Sequence, residues 1–356
     1  MAPAPRVTIY DVADAAGVAI STVSRVLNGS AEVSDATRRR VQAAIETLRF
    51  QPQRTARSLA QQSTTSIAVA MPSATSLFYV EILKGVKDEV RERDIDLLLC
   101  NLGSQNPYAT LQRFLDRGAV DGLLLVSLPI EGETGERLAR MNAPVVLAGT
   151  RAGQDVAAPG FDTLWWDDEV GAQRATAHLV GLGHTRIGLI SAHAWSYNAT
   201  PRLDGYRAAL AAAGLPFDPD LVVAGQAIKH AGYSEEAGAE AMETLLALDR
   251  PPTAVFAASD VQAFGAWSFA RDRGVRVPRD LSIVGYDNLK VSRFLDLTTV
   301  DQQMKRVGRQ ATARLLDRMA DPALPARFEE IDVPLVVRGS TASAPPARAP
   351  TAAPRA

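Results

Sequence analysis

From Ile67 onward, short apolar runs alternate with stretches of helical periodicity. The apolar runs are SIAVAM (66–71), IDLLLC (95–100), DGLLLV (121–126), PVVLAG (144–149), RIGLIS (186–191), LVVAG (221–225), TAVFAAS (253–259) and LSIVGYD (281–287). Helical spacing falls near 79–93, 107–118, 168–182, 202–213, 233–248, 260–273 and 303–320. Nearly continuous apolar strands separated by helices predict parallel sheets covered on both faces. About eight such units exceed one compact sheet, so two doubly wound parallel-sheet lobes are expected.

Residues 1–51 differ, carrying helical spacing only. Thr8 is placed to cap a helix through IYDVADAA, with Asp11 in its first turn and Ile9, Val12, Ala13 and Ala16 on its inner face. Gly17 is the residue type that ends such a helix. In the next stretch, STVSRVLN, core spacing takes Val23, Val26 and Leu27 and leaves Ile20, Ser21, Ser24, Arg25 and Asn28 toward the outside. Ser34 caps a third helix with Val41, Ala44, Ile45 and Leu48 inside. Two short helices around a glycine turn, packed under a third, predict a helix-turn-helix. Such a unit lays its second helix in the DNA major groove, where an arginine pairs with guanine. Spacing alone also allows a three-helix bundle with no DNA role. The fold class expected is thus an N-terminal all-α head plus a two-lobed α/β body.

Charge sharpens the division. The chain is 356 residues with a formal net charge of −2. Residues 1–63 hold eight arginines and five acidic residues, a net +3, which leaves −5 for the remainder. A basic head on an acidic body suits a polyanionic partner. The single Cys100, in an apolar run, excludes an intrachain disulfide and reads as a buried small side chain. The start lacks an export signal, and no apolar run reaches ~18 residues, so a cytoplasmic protein with no membrane segment is expected. His178, His184, His193 and His230 show no metal-ligand spacing, and neither metal nor cofactor is expected. There is no GxGxxG after the first strand, no GxSxG, no P-loop and no HExxH, which argues against an enzyme. The Ala/Pro-rich stretch 341–356 is expected to be disordered, and it has no leucine heptads that would favour a tetramer over a dimer.

VTIYDVADAAGVAISTVSRVLNG, followed by VSDATRRRVQAAIETLRFQP and ARSLA, closely resembles the lactose-repressor (LacI/GalR) family. RLDGY, LGHTRIGLI, DRGVRVPRDLSIVGYDN and LTTV extend the resemblance to about Thr341. It implies a homodimeric transcriptional regulator, most often a repressor, that binds a pseudo-palindromic operator and is controlled by a small molecule. By that resemblance Ile20, Ser21 and Arg25 meet bases. Thr8, Tyr10, Thr22, Ser24, Asn28 and Ser34 are candidates for the DNA backbone. Residues 52–63 match the family's hinge helix, with Gln53, Ala56, Arg57 and Leu59 at the minor groove.

The resemblance also implies a body like periplasmic sugar-binding proteins, with its effector held between lobes. The expected map is 1–51 head, 52–63 hinge and 64–340 body, with lobe 1 at about 64–163 and 293–326 and lobe 2 at about 164–292 and 327–340. The chain would cross between lobes near 162–165, 290–296 and 325–330. Effector candidates are Phe78, Tyr79, Ser196, Asn198, Arg202, Asp260 and Gln302. Many relatives carry an aromatic where this chain has Ala227. Trp165 and Trp166 are candidates for the missing stacking platform, with core packing the alternative. The expected effector is a sugar or sugar derivative, with a nucleobase or nucleoside as the other reading. Sugar-responsive relatives are usually released from DNA by ligand, and purine-responsive ones tightened.

Overall fold

The computed structural model describes residues 7–27, 30, 32–50, 66–103, 106–116, 120–130, 132–149 and 161–345. They fall into two compact units divided at Ser66.

The first unit holds α1 (Ile9–Ala16), α2 (Ile20–Leu27) and α3 (Asp35–Leu48). The Asp11 carboxylate accepts from the Thr8 backbone N–H and hydroxyl, each at 2.7 Å. These bonds hold its pKa below the ordinary aspartate value. Gly17 takes φ 60°, a left-handed turn that a side chain would strain. Ser34 accepts from Thr37 N to start α3. Val12, Val23 and Val41 are fully buried, and Ala13, Ala16, Val26, Val33, Ala44 and Phe50 complete the core.

The second unit runs in chain order β1 (Ser66–Met71), α4 (Leu77–Val90), β2 (Asp96–Asn101), α5 (Pro107–Asp116), β3 (Gly122–Val126), α6 (Gly132–Ala139), β4 (Val145–Ala148), β5 (Asp162–Trp166), α7 (Asp168–Gly181), β6 (Ile187–Ser191), α8 (Ala199–Ala212), β7 (Val222–Ala224), α9 (Glu235–Leu246), β8 (Ala254–Ala257), α10 (Asp260–Asp272), β9 (Ser282–Asp287), β10 (Thr298–Asp301), α11 (Met304–Ala320), β11 (Phe328–Ile331) and β12 (Leu335–Val336). One six-stranded sheet has the order β11-β5-β4-β3-β1-β2, the other β12-β10-β9-β8-β6-β7. β12 joins its sheet antiparallel to β10, whereas β3, β4, β8 and β9 lie parallel to their neighbours. The central strands are buried along their whole length, which is why they read as unbroken apolar runs.

The lobe crossings lie later in the chain than the family resemblance led us to expect. β5 stays in the first sheet through Trp166, so the first crossing is at Asp167. β10 pairs with β9 before the chain leaves, which moves the second crossing to Gln302–Gln303. β11 pairs with β5, which moves the third to residues 332–334. Residues 298–301 therefore belong to lobe 2 and 328–331 to lobe 1, the reverse of the expected assignment. These strands are short and carry Thr, Asp and Glu, so no apolar run marks them.

α11 returns to cover lobe 1, burying Val307, Ala311 and Leu315. It lies in backbone contact with α4: a side chain at Gly85 would strike Lys305 O and one at Gly308 would strike Ile82 O.

The expected disorder does not begin at Thr341. Ala344 N donates to Leu182 O (2.9 Å) and Ala342 N to Ser282 Oγ (3.1 Å). His184 is buried, its Nε2 3.1 Å from Ala342 O, and His178 Nε2 lies 3.0 Å from Thr341 Oγ1. Backbone bonds of this kind need no apolar pattern, so composition missed them. Residues 346–356 lie outside the described residues.

Candidate functional site

In the first unit, α2 turns its small and polar residues outward. Ser21 and Arg25 are exposed, Thr22 and Ser24 half-buried. Two large apolar side chains also leave the core here: Tyr10 is 64% exposed and Ile20 40%. Neither is used by the head's own packing, so both are available to a partner. Arg25 Nε lies 4.0 Å from Glu32 Oε2, an open surface pair. Thr8 and Ser34 are exposed at the starts of α1 and α3. Asn28, Gln53, Ala56, Arg57 and Leu59 lie outside the described residues.

In the second unit a cavity of about 1140 Å³ opens between the lobes. Lobe 1 supplies the β1–α4 turn with Phe78 and Tyr79, Asn101 at the end of β2, Asn106 to Tyr108, and Ser127 to Pro129 after β3. Lobe 2 supplies Trp195 to Asn198 after β6, Arg202 on α8, Ile228, His230, Ala231 and Tyr233 after β7, Ser259 and Val261 around the start of α10, and Asp287 at the end of β9. Each of these segments follows the carboxyl end of a parallel strand, the place where open α/β sheets leave a crevice.

Arg202 is the buried cation of this cavity. Its Nε donates to Asp168 Oδ1 (2.9 Å), Nη2 lies 2.8 Å from the same oxygen, and Nη1 donates to Ala258 O. The guanidinium stacks 3.9 Å above the Tyr286 ring. Arg202 is at the same time a residue of the cavity lining. Gln262 Nε2 ties the β7–α9 loop down by donating to Ser191 O (2.8 Å) and Gly232 O (2.9 Å).

Asp260 is fully buried and turned away from the cavity. Its carboxylate accepts from Leu289 N (2.8 Å), Ser292 Oγ (2.5 Å) and Thr299 Oγ1 (2.5 Å). Burial pushes its pKa up, opposed by those three donors. The acid on the lining is Asp287, with φ 125°, a strained conformation for a non-glycine residue. Burial first, then the charge of Asp260, pushes its pKa well up, with Arg202 opposing. Of the pair, Asp287 is the one on the cavity lining, and burial beside the Asp260 charge disfavours its ionised form.

A native state that keeps a proton the unfolded chain releases loses stability as pH rises. For Asp287 the loss starts above the unfolded aspartate value of about 3.9 and continues up to its raised native value. Asp287→Asn removes this titration. The variant is expected to melt above the wild type at pH 8 and to show no gain at pH 4, as read by thermal denaturation at both pH values. A gain of equal size at both would contradict the assignment.

Phe78, Tyr79, Ser196, Asn198 and Arg202 are thus brought together on one lining. Phe78 meets Tyr79 edge-on, with ring centres 5.0 Å apart. Trp165, Trp166, Asp260 and Gln302 are not on it. Trp166 is a buried hinge residue: its Nε1 donates to Gln302 O (2.6 Å) and its ring meets Phe78 edge-on at 5.8 Å. Gln302 is fully buried at the second crossing, its side-chain amide without a hydrogen-bond partner among the described residues. Asp287, Ser259 and Trp195 are lining residues that sequence reasoning missed. The signal available for Asp287 was an acid closing an apolar strand.

Among the described residues there is no cluster of three or more potential metal ligands, and no helix is long and apolar enough to cross a membrane. A helix-turn-helix unit joined to a two-lobed body with a cleft at its strand ends defines a ligand-binding DNA regulator. Residues 8–53 match the model of the lacI family of bacterial regulatory proteins, and residues 176–341 match a periplasmic binding protein-like domain. The HTH-type transcriptional repressor CytR of Escherichia coli K12 is 34% identical over 345 residues, 95% of this chain and 97% of that one. The repressor PurR of Vibrio campbellii is 33% identical, over 94% of this chain and 98% of its own. Among solved structures, a CelR regulator–cellobiose complex is 33% identical with a TM-score of 0.67 and covers 94% of this chain and 100% of its own. The lac repressor dimer bound to operator and the anti-inducer ONPF is 28% identical, with a TM-score of 0.70, covering 95% of this chain and 100% of its own. The chain belongs to the lacI family and is a DNA-binding transcriptional repressor.

Proposed function

We propose that this repressor acts as a homodimer on a pseudo-palindromic operator and takes a neutral carbohydrate as its effector. Ile20, Ser21 and Arg25 read bases. Thr8, Tyr10, Thr22, Ser24, Asn28 and Ser34 hold the DNA backbone, and Gln53, Ala56, Arg57 and Leu59 enter the minor groove. Effector binding shifts the population between two arrangements of the lobes, a coupling that works in both directions.

The observation that carries the effector class is the charge balance of the cavity. Arg202 is already compensated by Asp168, and burial beside Asp260 disfavours the charged form of Asp287. A phosphate or carboxylate would find no spare buried cation to offset its desolvation. A neutral ligand rich in hydroxyls finds Arg202 and Asp287 as hydrogen-bonding partners, with the Asn and Ser side chains of both lobes around it. Rings such as Phe78 and Tyr79 suit the apolar C–H faces of a sugar. The cellobiose held by the 33%-identical CelR agrees with this class. A nucleoside would use the same rings and is the second reading.

Titration calorimetry with neutral saccharides, sugar phosphates and nucleosides tests the class. Heat from a neutral saccharide, with DNA affinity changed by the same compound, is expected. Binding confined to sugar phosphates or to nucleosides would overturn it.

A further inference from the structure

Three large apolar side chains stand exposed on one rim of the cavity, all from lobe 2. Trp195 is 53% exposed, Tyr197 44% and Ile228 62%. Their charged neighbours do not explain them: Lys229 points into an ion pair with Glu236. Position 227, the expected site of a stacking aromatic, is alanine, and its carbonyl accepts a bond instead. His193 Nε2 lies 3.1 Å from Ala227 O, and His193 N donates to Ala231 O (3.0 Å). The imidazole so fixed is stacked on Trp195, with ring centres 5.5 Å apart and planes inclined by 6°. Behind it, Gly232 takes φ 92°, and a Cβ there would meet the imidazole at 3.3 Å.

The indole is therefore braced on one face, and its exposed area borders the cavity. An exposed tryptophan fixed in this way gives up little rotamer freedom on binding. Across the cleft, Tyr108 is held by its hydroxyl donating to Pro129 O (2.9 Å). The cavity of about 1140 Å³ exceeds the range of ordinary small-molecule sites, roughly 300–1,000 Å³, and has volume for more than one ring.

We propose that Trp195, braced by His193, is the platform of an outer subsite that stacks a second ring of the effector, making this repressor selective for a neutral oligosaccharide over a monosaccharide. This rests on the carbohydrate reading above. Arg202 and Asp287 bind the inner ring by hydrogen bonds. Trp195 contributes the apolar face that the outer ring needs, from the loop after β6 rather than the loop after β7.

The test uses the full chain and calorimetric affinities for glucose, galactose, cellobiose, maltose, lactose and cellotriose. In the wild type, a two-ring or three-ring sugar is expected to bind at least about 10-fold more tightly than its single-ring unit, the scale of one added ring-stacking contact. Trp195→Ala is expected to remove that advantage and leave the monosaccharide affinity within about 2-fold. Trp195→Phe, which keeps a ring, is expected to restore most of it, and His193→Ala to fall between. Binding of no sugar by the wild type overturns the carbohydrate reading and this inference together. Sugar binding with the oligosaccharide preference unchanged in Trp195→Ala overturns the inference alone.

Discussion

Arg202→Met is expected to be the most damaging single substitution in the cleft. Both charges of the Arg202–Asp168 pair are buried, at 3% and 7% exposure. Removing one partner leaves the other charged and dry, and breaking such a pair costs about 3–5 kcal/mol. Ala258 O loses its donor as well. Urea denaturation should show the loss as a lower midpoint. The double variant Arg202→Met/Asp168→Leu separates the two roles of the arginine. It replaces the pair with apolar groups and is expected to regain most of the stability, since such replacements are often neutral. It should not regain effector binding, because the guanidinium on the cavity lining is gone. Recovery of both would make Arg202 a structural residue only.

Arg25→Ala is expected to have the largest effect on DNA. A bidentate arginine–guanine contact is worth about 1–3 kcal/mol of discrimination against the wrong base. Specific operator affinity should fall by that amount, with non-specific binding reduced far less. Fluorescence anisotropy on a selected operator and on random DNA, at one fixed salt concentration, reads both. Equal losses on the two would make Arg25 a phosphate contact. The nearby Glu32 adds a check. Its open pair with Arg25 is of the kind worth at most about 1 kcal/mol. Glu32→Gln frees the guanidinium and removes a negative charge near the DNA, so it should strengthen binding modestly.

The head was readable because its core positions fall at strict helical spacing: Val12, Val23 and Val41 are where periodicity places them. The central strands were readable because burial on both faces removes all polar interruption. β5, β10, β11 and β12 were not, since β5 opens on Asp and Thr and the other three are strands of two to four residues that leave no apolar run. The cleft divides along similar lines. Arg202 and the Phe78–Tyr79 pair sit at helix starts facing the strand ends. At the strand-to-helix turn 259–261, however, sequence cannot tell which neighbour faces the ligand. Ser259 and Val261 reach the lining, while Asp260 turns inward to anchor Leu289, Ser292 and Thr299. Trp195 stands four residues beyond a strand in a loop of no regular pattern, and only the stacked His193 gives it a fixed place.

The threefold crossing between lobes also sets an order of events on the ribosome. Lobe 2 receives β6 to β10 as one unbroken stretch, and only β12 and the Ser340–Ala344 strap arrive late. Lobe 1 begins first yet waits longest for its cover. Its strands β1 to β5 emerge early, but the face that packs on Val307, Ala311 and Leu315 stays bare until α11 is made, more than 130 residues after β5. The half of the body synthesised first is therefore the half that must wait, with an apolar sheet face uncovered while its neighbour folds. A nascent chain stalled near Gln303 would carry a nearly complete second lobe beside an open first one.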